Sequence, residues 1–139
     1  MFSKTAEAQG SMAKNIVVKV IIGNYKYVEI PIEEAEKLLQ TLLKDFPDKE
    51  KDIKEVARII KNFDVFYEIA RKKFKNYILI PHDTSDMLRG TVLFDKVKLI
   101  SNEEGRKIGL FFDRSISIDD VVRVLRNLGY NVNVAKSEI

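Results

Sequence analysis

Cysteine and tryptophan are missing from this chain, and histidine occurs once, as His82. Without cysteine there is no disulfide framework, no thiol nucleophile and no thiolate metal site. A single imidazole also rules out the usual histidine-paired zinc sets. Glycine and proline are sparse, at six and three in 139 residues. The glycines (Gly10, Gly23, Gly90, Gly105, Gly109 and Gly129) are scattered, so none builds a phosphate cradle ahead of a helix. Long apolar runs are lacking too. Val20-Ile21-Ile22 and Tyr77-Ile78-Leu79-Ile80 are strand-sized, far short of the roughly 18 apolar residues a membrane span needs. The first twelve residues have no apolar signal-peptide core. These absences lead us to expect a cytoplasmic protein with no membrane partner, no cofactor and no metal.

What is present is the composition of a folded globular chain, 45% hydrophobic and 32% charged. Lys, Glu and Ile are abundant, and Gln occurs only as Gln9 and Gln40. Such a bias is typical of thermophile proteins and matches the style of small proteins from thermophilic archaea or their viruses. An AT-rich genome, favouring Lys and Ile codons, would produce the same bias. Gly10-Ser11 ahead of Met12 reads as a cloning remnant. Residues 1–13 are expected to be a disordered tail and 14–139 a single domain, a length that one core can serve.

Hydrophobic periodicity sets out the elements. Asn15 to Ile22 is a β-branched run, Gly23-Asn24 a two-residue turn, and Tyr25 to Ile30 an alternating strand. Beyond Pro31, the apolar positions Ile32, Ala35, Leu38, Leu39, Leu42 and Leu43 recur at helical spacing. A second helix follows Asp48 as cap, with Lys49 and Glu50 outside, and a third starts near Asp64. Tyr77 to Pro81 is a short strand, and His82 to Gly90 is a turn-rich loop. Strands over 91–100 and 106–112 flank a turn at Gly105. A helix capped by Ser117 then leads through Gly129 to an edge strand over 130–135. The order ββ-αα(α)-βββ-α-β predicts an α+β fold. Its sheet of about six strands is mainly antiparallel, with helices on one face.

His82, Asp83, Ser85 and Asp86 contain the residue types of a nucleophilic triad, but loop neighbours rarely converge in triad geometry. Turn formation and capping are the simpler role, and no catalytic residue is assigned. The stronger chemical pattern is basic and aromatic. Arg71, Lys72, Lys73 and Lys75 interleave with Phe74 and Tyr77, and Arg89, Lys96, Lys98, Arg106 and Lys107 follow. Residues 71–107 carry nine Lys/Arg against five Asp/Glu, whereas 32–62 carry seven against eight. Cations beside aromatic rings on a sheet suit single-stranded nucleic acid. The expected function is therefore non-catalytic nucleic-acid binding through Arg71, Lys72, Lys73, Lys75, Tyr77, Arg89, Arg106 and Lys107. Basic residues at a helix C-terminus also complement its dipole, with no ligand implied.

The alternative is a homo-oligomeric interaction or regulatory module. Phe111 and Phe112 must face opposite sides of a strand. If helices cover one face, Tyr25, Tyr27 and Phe111 are left on the other as an interface for a second copy.

Overall fold

The computed structural model describes residues 17–22, 26–73 and 75–136. The expected tail, the Gly23-Asn24 turn, Tyr25 and Phe74 lie outside the described residues. Strands β1 (Val17–Ile22) and β2 (Lys26–Pro31) come first. Next are α1 (Ile32–Asp45), a 3₁₀ turn (Pro47–Lys49), α2 (Glu50–Lys61) and α3 (Phe63–Lys73). The second half comprises β3 (Tyr77–Leu79), α4 (Thr84–Arg89), β4 (Phe94–Asn102), β5 (Gly105–Phe112), α5 (Ile118–Asn127) and β6 (Asn131–Lys136). The class is α+β, as the clustering of elements implies.

One sheet orders the strands β3-β4-β5-β2-β1-β6. Every pairing is antiparallel except that of β6, which lies parallel to β1. Alternation decides which side chains enter the core. Val28 and Ile30 of β2, Val97 and Leu99 of β4, and Ile108, Leu110 and Phe112 of β5 join one buried cluster. Leu38 and Leu42 of α1, Val56 and Ile59 of α2, Phe63 of α3, and Val124 and Leu125 of α5 close over them. Helices thus cover this face of the central strands, and odd-numbered positions of β2 and β5 point away from the core.

Several local expectations need correction. The loop at 82–90 contains a helix, α4, inserted between β3 and β4. Its N-terminus is a reciprocal capping box: the Asp86 amide donates to the Asp83 carboxylate and the Asp83 amide donates to Asp86. Gly90, at φ 68°, ends it in the left-handed region that glycine adopts at no steric cost. Asp48 does not cap α2. It sits inside the 3₁₀ turn, and no side chain caps that helix. Lys49, expected outside, is buried. Asp64 lies within the first turn of α3 rather than ahead of it. Ser117 does cap α5, accepting from the Asp119 amide at 3.1 Å.

Candidate nucleic-acid interface

The sheet face turned away from the helices carries a row of side chains that crosses four adjacent strands. Lys96 of β4, Phe111 of β5 and Tyr27 of β2 are register partners in turn, and Tyr77 of β3, whose own partner is Lys98, lies diagonally beside Lys96. Ring centroids of Tyr27 and Phe111 stand 4.6 Å apart, and those of Tyr77 and Phe111 5.7 Å apart in an edge-on arrangement. The Lys96 ammonium lies 4.8 Å from the Tyr77 centroid and 5.0 Å from that of Phe111. Lys98 stands 5.9 Å from Tyr77. These rings attract cations through their quadrupoles, at roughly 0.5–1 kcal/mol per contact near a surface. All four side chains of the row are half-buried.

A β-bulge creates the row. Phe94 pairs with Phe112, yet Lys96 pairs with Phe111, so Asp95 is an extra residue in β4. By strict alternation Phe94, Lys96 and Lys98 would share a face. The bulge breaks that parity: Phe94 packs in the core 5.2 Å from Phe112, while both lysines reach the opposite face, open in that no described helix covers it.

Tyr27 lies across Gly109 of the neighbouring strand. A Cβ at position 109 would overlap the tyrosine ring and hydroxyl, so the absence of a side chain provides the seat. The hydroxyl donates to Glu29 at 2.8 Å. Burial above all, and then the Glu29 carboxylate, push its pKa well above the ordinary tyrosine value.

The residues expected to bind nucleic acid do not gather on one face. Tyr77 and Lys107 lie on the open face, and Lys107 pairs with Glu104 at 3.0 Å. Arg71, Lys72 and Lys73 end α3 in the helical layer, where Arg71 pairs with Glu68 at 3.0 Å. Lys75 is exposed in the turn to β3, at φ 53°. Arg89 ends α4. Arg106 points to the helical side, 3.0 Å from Asp64 and over the Phe63 ring. Of the expected interface, Tyr27 and Phe111 sit together. Phe111 is not bare, since Tyr27, Tyr77 and Lys96 supply part of the cover that the sequence reading sought from a second copy. Lys96, Lys98 and Gly109 are the members of this face that sequence reasoning did not assign, because their placement depends on the bulge and the strand order.

A second polar cluster lies at the start of α2. The Asp52 carboxylate, 2% exposed, accepts from the Leu93 amide at 2.7 Å, the Phe94 amide at 3.0 Å and His82 Nε2 at 2.9 Å. Lys51 donates to Asp86 at 2.7 Å, and buried Lys49 donates to the Gly90 carbonyl at 2.6 Å. The Lys51 ammonium and the Asp83 amide hold the Asp86 carboxyl below its usual range. This cluster ties α4 and the entry to β4 onto α2. A signal for it exists in the sequence, since Asp52 precedes Val56 and Ile59 on the buried stripe of α2. Among the described residues no group of three His, Asp or Glu side chains is placed to hold a metal ion. No helix among them is long and apolar enough to cross a membrane. Comparison with known proteins finds no matching family model, no matching curated protein and no matching solved structure.

Proposed function

We propose that the open sheet face binds single-stranded nucleic acid without catalysing a reaction on it. Bases stack on Tyr77, Phe111 and Tyr27, and Lys96, Lys98 and Lys107 neutralise phosphates. The observation that carries this reading is the sequence of ring, ammonium, ring and ring across four adjacent strands. Stacking contributes roughly 1–3 kcal/mol per base and tolerates any base, while each phosphate contact releases counterions. Glu29 repels phosphate beside Tyr27, so the stronger half of the site is Tyr77–Lys96–Phe111. A strand that runs along the row leaves the sheet at the β3 edge, where Lys75, Lys73, Lys72 and Arg71 extend the positive field. Arg89 and Arg106 add to that field from outside the face. The cytoplasm, where such a ligand is met, is the compartment this reading implies.

Fluorescence anisotropy of labelled ten-nucleotide oligo-dT and oligo-U at low salt tests the proposal. Tyr77→Ala and Phe111→Ala should each weaken binding roughly 5- to 150-fold, the equivalent of one lost stack. Lys96→Glu and Lys98→Glu should each flatten the salt dependence by about one unit of slope. Reversing Lys72 and Lys73 to Glu should weaken binding less, and equally for all sequences. No binding at low salt by the unaltered protein rejects the reading.

A further inference from the structure

We propose that the β6 edge and the groove between β6 and α5 form the contact with a second copy of this chain. Among the described strands, the two edges of the sheet are guarded very differently. β3 is three residues long, and Pro81 follows shortly after it. Short edge strands and proline are the devices that block strand addition. β6, at the other edge, runs six residues as Asn-Val-Asn-Val-Ala-Lys, with no proline and no charge before its last position. Val134 is 48% exposed there. Beside it runs an open groove whose apolar floor is Ile118, Val122 and Val134.

Charge complementarity identifies the occupant. Asp119 and Arg126 both border this groove, and neither forms an ion pair with another described residue. Arg123, between them, is held by Asp120 at 2.7 Å and Asp45 at 3.5 Å. Asp119 and Arg126 are seven residues apart, two helical turns, so they share a face about 10 Å apart along the axis. Antiparallel pairing of two β6 strands about a twofold axis places two α5 helices side by side in opposite directions. Asp119 of each copy then meets Arg126 of the other, twice by symmetry, over a seam containing both copies of Val134. An acidic or a basic peptide would satisfy only one of the two charges. A second copy satisfies both.

Light scattering coupled to size exclusion on the full chain reads the outcome. At tens of micromolar the unaltered protein should run at twice its 16.0 kDa mass. Val134→Lys, a charge aimed into the seam, should weaken association about tenfold or more. Arg126→Glu should do the same by facing Asp119 with a like charge, and both variants should keep the unaltered far-UV spectrum because these side chains are exposed. The swap Asp119→Arg with Arg126→Glu should restore the dimer. A 16.0 kDa species at every concentration overturns the proposal, whether or not it takes up a synthetic β6 peptide. So does a dimer indifferent to both Arg126→Glu and Val134→Lys. A dimer lost instead on Phe111→Lys moves the contact to the open face and likewise overturns it.

Discussion

At the scale of single residues, two positions show how much a small group decides. Gly109 matters for the side chain it lacks. A methyl there would drive Tyr27 off its seat, breaking the ring contact with Phe111 and the bond to Glu29. Gly109→Ala should therefore destabilise the fold by about 1–3 kcal/mol, in the range of core overpacking. The same change made on a Tyr27→Ala background should cost far less, and urea unfolding of the four-member cycle measures the difference. Equal costs on both backgrounds would show that Tyr27 is not the obstacle. His82 is the second case. Its loop reads in the sequence as a dispensable set of turn formers, yet its ring donates to a carboxylate that is almost wholly buried. Removing it leaves that charge with two amide donors, so His82→Ala should lower stability by about 1–3 kcal/mol. An unchanged urea midpoint would mean that the bond contributes nothing in solution.

At the scale of elements, α4 is a short helix whose attachment is largely electrostatic. A helix of six residues has little stability of its own; Lys51 and Lys49 hold it to the start of α2, and the capping box closes its N-terminus. The Asp86 carboxyl titrates below its ordinary value of 3.8 because the Lys51 ammonium and the Asp83 amide favour the charged form. The folded state accordingly binds fewer protons than the unfolded chain. That contribution is complete above pH 3.8 and is lost as the pH falls through the depressed folded value. Amide protection factors, taken against the intrinsic rate at each pH, should therefore fall over residues 84–90 at acid pH before they fall in the β4–β5 hairpin. In Lys51→Met that fall should begin at higher pH. If both regions open together in both proteins, α4 is not a separate unit. Asp83 was legible as a cap, since Asp and Ser beside apolar residues mark helix starts. The helix itself was not, because its support comes from Lys49 and Lys51, more than thirty residues earlier.

At the scale of the whole molecule, the two proposed surfaces lie on the same sheet. A dimer through β6 would continue the open face into a second copy. Five strand spacings separate the two Tyr27 rings, about 24 Å at the usual 4.8 Å per strand. An oligonucleotide of about twenty nucleotides should then bind more tightly than one of about eight, through a raised effective concentration at the second row. In Arg126→Glu that gain should vanish while the short oligonucleotide binds as before. Anisotropy titrations of both lengths on both proteins make the comparison, and a gain that persists in the monomer argues for a single extended site.

Periodicity by itself determined the α+β class, the helix faces around Leu38, Val56 and Leu125, and the opposition of Phe111 to Phe112. Each follows from a 3.6- or 2-residue repeat, and a repeat is local information. It also determined that residues 71–107 carry an excess of positive charge, but not where that charge would sit. Tertiary structure decided that Arg106 turns to the helices and that Lys96 turns away from them, because a bulge at Asp95 shifts the parity of β4. It decided too that β6 joins β1 in parallel and is the last of the described strands on that side. Strand order, bulges and the pairing of Asp52 with His82 depend on contacts between residues far apart in the chain. Free energy gained across such distances is shared among many residues, and no short window of sequence records it.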